Sequence, residues 1–314
     1  MDENETLLPP PEELTCLAET LREKAVYVSE GTLYVVATPI GRIVDITLRA
    51  AKILEGVDLV AAEDTRRAYI LLNCLGIRKE VVSNQKFNEH RKTAFFLEAL
   101  SSGKSVAVIS DAGTPCVSDP GNELVKAAIA AGIPVVPVPG ACAAVTAASA
   151  SGFDLRSFLF CGFFPKENSE KRAEKKRLLS GVAKTYIYYE SPRRILKTAA
   201  FFAEEAIPCR LLIANDLTKT HERFYRGTPE EVLAELRANP NAEKGEFVII
   251  AEPAAPATEE KARPSSPGAA LCEKMLAENL SARDAIAALT AEDPTLRRND
   301  LKDAAIRLKG LFGG

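Results

Sequence analysis

Four short apolar runs, GTLYVVATPIG, VDLVAAED, SVAVISDAG and IPVVPVPG, punctuate the first half of the chain, with stretches of helical periodicity between them. This alternation constrains the fold more than any other feature. A tight turn can join antiparallel strands, but a parallel pair needs a crossover of about a dozen residues, usually a helix. The runs are apolar at successive positions, so both faces of each strand must be covered. Between them, Leu48, Ala51, Ile53 and Leu54 recur at helical spacing. RRAYILLNCLG and NELVKAAIAAG each stop at a glycine suited to a helix C-terminus, and ACAAVTAASASG reads as a helix of small residues fit for close packing. An open parallel sheet flanked by helices is predicted over residues 31–150.

After Gly152 the spacing changes. SFLFCGFF, KTYIYYES, CRLLIANDL and GEFVIIAEP read as strands, FYRGT as a shorter one, with helices predicted at Pro192–Glu205 and Pro229–Ala238. Helices separate only some of these runs, so a second α/β domain with a mixed sheet is expected over 151–253. Residues 254–270, rich in proline, alanine and serine, read as a linker. Residues 271–314 read as a small helical module with Ser281 and Asn299 as N-caps. Residues 1–30 are acidic and proline-broken and read as a mobile arm. The expected fold class is α/β: two consecutive α/β domains plus a C-terminal helical appendage.

Bulk composition narrows the chemistry. The 314 residues carry a formal net charge of −3, so no global positive field marks a nucleic-acid partner and any such contact must be local. Seven cysteines, at 16, 74, 116, 142, 161, 209 and 272, form no C-x-x-C pair and make a poor disulfide framework. Reduced thiols and a cytoplasmic location are therefore expected. With only His90 and His221 available, a zinc site would need ligands from distant segments, and no metal is expected. No apolar run approaches the roughly 18 residues of a membrane span, and the acidic start lacks the features of a signal peptide.

In an open α/β sheet, ligands bind beyond the carboxyl ends of the strands. Four loops fall at such ends: Thr38-Pro39-Ile40-Gly41, Ala62-Glu63-Asp64-Thr65, Ser110-Asp111-Ala112-Gly113-Thr114-Pro115 and Pro139-Gly140-Ala141. Their glycines let backbone approach a ligand and their prolines stiffen the loops. Any one of them alone reads first as a plain turn; four on one rim point to a site. Neither G-x-G-x-x-G nor G-x-x-x-x-G-K-[ST] occurs. Neither the first loop nor the Asp111 loop has a lysine to offset a triphosphate, and Asp111 itself disfavours polyphosphate. A cationic or zwitterionic small molecule suits these loops better.

Eight motifs occur in order. They are TPIG with a following DIT (Thr38 to Thr47), AEDTR (Ala62 to Arg66), SDAGTPCVSDPG (Ser110 to Gly121) and PGACAA (Pro139 to Ala144). Then come GFFPK (Gly162 to Lys166), YESPRR (Tyr189 to Arg194), LTKTHE (Leu217 to Glu222) and KGEFV (Lys244 to Val248). Together they resemble the bacterial 16S ribosomal RNA cytidine 2′-O-ribose methyltransferase family, tetrapyrrole-methylase-like enzymes of the class III S-adenosylmethionine group. The resemblance spans about Gly31 to Glu252, with a similar helical tail.

It implies two α/β domains with S-adenosyl-L-methionine in the cleft between them, usually in a homodimer. It also implies methyl transfer to the ribose 2′-hydroxyl of a cytidine in the decoding region of the 30S subunit. By this analogy Pro39, the run Ser110, Asp111, Ala112, Gly113 and Thr114, and Pro139, Gly140 and Ala143 bind the cofactor from the first domain. Tyr189, Glu190, Lys244 and Gly245, with the Asp216–Lys219 loop, do so from the second. The chain departs from the family pattern at Arg42, where asparagine is usual, at Ala141 (proline), at Arg193 (histidine) and at Asn215-Asp216 (arginine–glutamate). Arg42 and Arg193 are expected to supply the charge missing at 215.

Methyl transfer from a sulfonium is an in-line displacement at carbon, so alignment and charge management are the enzyme's main tasks. A 2′-hydroxyl is a weak nucleophile and gains from a base, or from a charge that stabilises its alkoxide. Glu246 or Asp216 is the candidate proton acceptor and Lys219 the electrostatic helper; the competing reading is an ordinary ion-pair network. An RNA substrate needs local cations for its phosphates. Candidates are Lys171, Arg172, Lys175, Lys176 and Arg177, expected in a loop after GFFPKENSE, with Arg193, Arg194, Arg297 and Arg298. Two rival functions stay open: methylation of a corrin or porphyrin precursor, and a non-catalytic ribosome-binding role.

Overall fold

The computed structural model describes residues 28–84, 89–254, 266–292 and 296–312. Most of the expected N-terminal arm and of the expected linker lies outside these residues. The first sheet has five strands: β1 (Leu33–Val36), β2 (Leu59–Ala62), β3 (Glu80–Ser83), β4 (Val106–Ile109) and β5 (Val135–Val138). All are parallel, in the order β3-β2-β4-β1-β5. The crossovers run through α1 (Leu48–Gly56), α2 (Thr65–Cys74), α3 (Glu89–Ser101) and α4 (Asn122–Ala130), and α5 (Ala143–Ser149) follows β5.

Both faces of this sheet are covered, which explains the unbroken apolar runs. Ile53, Leu54 and Leu72 pack with Tyr34, Val60 and Ala107 on one face. Phe96, Leu100 and Leu124 pack with Leu33, Ala61 and Val108 on the other. Polar caps start the helices: the Thr47 hydroxyl accepts the Ala50 N–H and the Asp64 carboxylate accepts that of Arg66. Strand β3 escaped the sequence reading. It sits at the sheet edge with Glu80 exposed and its valines half-buried, so it needs no long apolar run.

The second sheet comprises β6 (Phe158–Phe163), β7 (Thr185–Glu190), β8 (Cys209–Asn215), β9 (Arg223–Gly227) and β10 (Phe247–Pro253), in the order β6-β7-β10-β8-β9. Only β6 and β7 pair in parallel; the remaining pairings are antiparallel. Helices α6 (Asn168–Leu179), α7 (Ile195–Glu204) and α8 (Pro229–Ala238) cover one face, where Leu178, Phe202 and Leu236 meet Tyr188, Leu211 and Ile249. The other face, with Ile187, Leu212, Ala214 and Val248, packs on Ala144, Ala147 and Ala148 of α5. Small side chains on α5 let the two sheets approach closely across that helix.

The segment Lys171–Arg177 is helical, part of α6, and not a loop. Its periodicity was hidden because the residue that anchors it is charged: Glu174 is buried, bonded to Arg177 and to the Tyr188 hydroxyl.

Both sheets lie in one compact unit ending at Ala254, and a second compact unit runs from Ala255. The latter has three described helices, α9 (Pro267–Glu278), α10 (Ala282–Glu292) and α11 (Arg298–Phe312), around Leu271, Ala285, Ile286 and Leu301. Ser281 accepts the Asp284 N–H at 3.2 Å, as an N-cap does. Asn299 instead lies inside α11, and α9 begins within the stretch read as linker.

Candidate functional site

The four strand-end loops of the first sheet are tied to one another. Thr38 and Gly113 exchange backbone hydrogen bonds at 2.8 and 3.0 Å. The Thr114 hydroxyl donates to the Ala141 carbonyl at 3.0 Å. Asp111 accepts the Asp64 N–H at 3.0 Å and pairs with Arg67 at 3.5 Å. Cys116 and Ser118 hold φ of 69° and 67°, values that non-glycine residues seldom take and that cluster at functional sites. The rim is a braced frame.

This frame faces the second sheet across a cleft of about 390 Å³. Asp111, Ala112, Thr114, Asp119 and Ala143 line it from one side, and Phe163, Tyr189, Glu190, Glu246 and Val248 from the other. Gly41 permits the close approach of the two halves. A Cβ there would collide with the Thr218 hydroxyl and come within 2.9 Å of the Leu217 carbonyl. Beside it, Arg42 donates from Nε to the Thr218 carbonyl at 2.9 Å and from its N–H to Thr218 Oγ1 at 3.2 Å. Arg42 thus latches one loop to another, while Arg193 is exposed. Neither lines the cleft, and neither does Asn215.

The charged groups of the cleft are mostly carboxylates. Among the described lining residues Glu63, Asp111, Asp119 and Glu246 stand with a single cation, Arg67, and Glu190 borders the cleft with its side chain buried. Glu190 is compensated: its Oε1 pairs with Arg194 at 2.5 Å and its Oε2 accepts the Thr198 hydroxyl at 2.6 Å. Asp119 is not. Burial pushes it up to about 6 against a weaker opposing bond from the Ser110 hydroxyl, and repulsion from Asp111 and Glu246 adds to the rise. Glu63 is raised too, by burial first and then by Asp111 and Asp119.

Unfolded, Asp119 titrates near 3.8; folded, it keeps its proton to about pH 6. Between these values the folded chain binds the extra proton, so stability declines as pH rises through the window. Asp119→Asn should remove this decline and raise the unfolding free energy at pH 7 by about 1 kcal/mol, after allowance for solvent screening of a half-buried group. Urea melts at pH 4 and pH 7 check this; a variant as pH-sensitive as the parent between those values would contradict it.

At the start of β10, Lys219 Nζ lies 2.7 Å from Asp216 Oδ1 and 3.0 Å from Glu246 Oε2. Asp216 and Thr218 hold positive φ, 51° and 63°, so this loop is constrained as well. The Asn215 amide donates to the Lys244 carbonyl at 3.2 Å, and Gly245 packs directly on the Asp216 carboxylate. Glu246 lines the cleft with its side chain 63% exposed, open to a ligand; Asp216 and Lys219 are joined to it but do not line the cleft.

The cleft thus collects Asp111, Ala112, Thr114, Ala143, Tyr189, Glu190 and Glu246 from the expected residues. Pro39 borders an adjoining, more open hollow with Ile43 and Cys74, which shares Arg67 and Asp111 with the cleft. Ser110 is buried under the loop, Gly140 packs on Ala37, and the Pro139 carbonyl accepts the Thr47 hydroxyl at 3.3 Å. These residues, with Gly113, Lys244 and Gly245, shape the loops without lining the cleft. Glu63, Asp119 and Phe163 line it but were not singled out, although each stands in a quoted motif; residue order does not tell which way a loop side chain turns.

The cations sort similarly. Arg177 is held by Glu174, Lys175 by Glu205 at 2.8 Å and Arg194 by Glu190. Lys171, Arg172, Lys176 and Arg193 make no ion pair among the described residues, and Arg297 and Arg298 are exposed in the second compact unit. Among the described residues no group of three or more His, Cys, Asp or Glu side chains is placed to hold a metal ion. No described helix is long and apolar enough to cross a membrane.

Residues 32–233 match the family described as Tetrapyrrole (Corrin/Porphyrin) Methylases. The chain is 46% identical over 223 residues to ribosomal RNA small subunit methyltransferase I of Pasteurella multocida, covering 71% of this chain and 79% of that one. Against the protein of the same name from Haemophilus influenzae it is 42% identical over 277 residues, covering 86% and 95%. Among solved structures, the cobalamin biosynthetic enzyme cobalt precorrin-4 methyltransferase superposes with a TM-score of 0.52 at 18% identity, over 71% of this chain and 95% of that one, a likeness of fold. The chain belongs to the tetrapyrrole methylase family and, within it, to the ribosomal RNA small subunit methyltransferase I group.

Proposed function

We propose that the protein transfers a methyl group from S-adenosyl-L-methionine to the ribose 2′-hydroxyl of a cytidine in the 16S RNA of the 30S subunit. The observation that carries this reading is the carboxylate-rich cleft on a braced rim, in a chain 42% identical over 277 residues to a protein named for ribosomal RNA methylation. The donor set fits the cofactor. Burial first, and then neighbouring carboxylates, raise Glu63 and Asp119, with Arg67 the smallest opposing influence on Glu63; a ligand bearing a sulfonium and an ammonium would add the positive charge this cleft lacks. Ile40, Leu217 and Val248 give the same cleft an apolar surface for a flat heterocycle.

When bound, the cofactor supplies an electrophilic methyl on a positively charged sulfur. The chain's own residues do the rest. Asp111, fixed by Arg67 and the Asp64 N–H, and Asp119 would hold the cation, with Thr114 and Ala143 lining the cleft beside it. Glu246 takes the proton of the 2′-hydroxyl, and Lys219, gripped also by Asp216, keeps the Glu246 carboxylate aimed. The enzyme acts in the cytoplasm as a homodimer, with the exposed Ile43, Val44, Leu48 and Ile70 as the apolar surface a second copy would cover.

Incubation with tritium-labelled S-adenosyl-L-methionine and undermodified 30S subunits tests the reading. Label in 16S RNA is expected; none would overturn it. Removal of residues 261–314, which takes away Arg297 and Arg298, should weaken subunit binding roughly tenfold at physiological salt while leaving cofactor affinity unchanged. Paired binding titrations check this, and an equal loss of both affinities would contradict it.

A further inference from the structure

We propose that Phe163 is the platform on which the base of the target nucleotide stacks. This rests on the RNA-methylation reading and adds to it the surface that receives the nucleoside. Strand β6 presents two faces. Leu159 and Cys161 turn to the core beneath α6, α7 and α8, while Phe160 turns to the opposite face with Tyr189 and α5. Unbroken alternation would send Phe163 inward after Leu159 and Cys161.

The register breaks instead. Phe160 pairs with Ile187, but Phe163 pairs with Tyr189, so three steps along β6 match two along β7. Gly162 takes up the extra residue, with a left-handed φ of 69°. The bulge brings Phe163 onto the cleft face and gives Phe164 the interior position, 1% exposed against Tyr188, Phe201 and Phe202. Bulges beside functional sites re-aim side chains in this way.

The outcome is a phenylalanine 54% exposed on the cleft wall, backed edge-to-face by Tyr189 with ring centroids 5.9 Å apart. A ring this open contributes little to packing, and its position next to Glu246's cleft gives it a ligand's reach. Proteins that bind single-stranded RNA hold unstacked bases on such rings, each worth about 1–3 kcal/mol. A nucleotide splayed out of a single-stranded loop can place its ribose in a narrow cleft and its base on an aromatic ring together. The exposed Lys166 follows Phe163 by three residues, and Lys171 and Arg172 of α6 come next, a run of cations for the flanking phosphates.

The chain contains no tryptophan, so Phe163→Trp makes a single-tryptophan reporter. A short single-stranded RNA containing cytidine should quench its fluorescence. The control Phe158→Trp, at a position 47% exposed on the same strand but outside the cleft, should not respond. Phe163→Leu should raise KM for 30S subunits roughly tenfold with the calorimetric Kd for the cofactor unchanged, and Phe163→Tyr should restore KM. Absence of quenching, an unchanged KM in Phe163→Leu, or an equal loss of cofactor affinity would each overturn the platform. A parent chain that labels no RNA would count against the methylation reading, and the quenching titration would still decide the platform.

Discussion

Arg194→Ala is expected to lower the thermal midpoint of the protein by roughly 10 °C, while Arg193→Ala, one residue away, leaves it within about 1 °C. The cause lies in Glu190, whose side chain is fully buried. Its carboxylate accepts the Ser191 N–H at 2.7 Å and the Thr198 hydroxyl at 2.6 Å, and Arg194 supplies the compensating charge. Arg194 also donates to the Phe164 carbonyl at 3.0 Å, tying the end of β6 to α7. Removing it leaves a buried carboxylate without its cation, a change that costs about 3–5 kcal/mol. Arg193 is exposed and unpaired among the described residues, so its loss touches only long-range attraction to RNA. Calorimetric scans of both variants check the contrast; equal midpoints would contradict it.

Glu246→Gln should lower kcat roughly a hundredfold and leave the cofactor Kd unchanged, because the amide keeps the shape of the side chain but cannot accept a proton. With the side chain 63% exposed, the fold does not depend on its charge. Lys219 also pairs with Asp216 at 2.7 Å, an anchor the substitution does not touch. Single-turnover methylation with calorimetric cofactor binding measures both quantities. An unchanged kcat would reduce Glu246 to an ion-pair partner of Lys219, the competing reading of these three residues.

The architecture was largely readable because its causes are local. Apolar runs separated by crossover-length helices dictate a parallel sheet, and the alanine-rich helix after Pro139-Gly140 anticipates the seam where the sheets pack. Strand β3 was missed because an edge strand tolerates Glu80 in the open. Helix α6 was missed because Glu174, its buried anchor, looks like one more surface charge.

The site was readable as a set of loops but not side chain by side chain. Arg193 and Arg194 are identical in sequence and opposite in role, since only a buried carboxylate distinguishes them. Asp119 follows Ser118 in the motif, yet its raised pKa comes first from burial and then from Asp111 in the same motif and Glu246 far along the chain, which residue order does not reveal. The outward turn of Phe163 depends on a single bulge.

The most direct test of the central claim is mass spectrometry of nucleosides released from 16S RNA after reaction of the purified protein with undermodified 30S subunits and S-adenosyl-L-methionine. The expected result is one 2′-O-methylcytidine per subunit, formed roughly a hundredfold more slowly by Glu246→Gln under the same conditions. Methylation of a base in place of the ribose, or RNA returned unmodified, would contradict it.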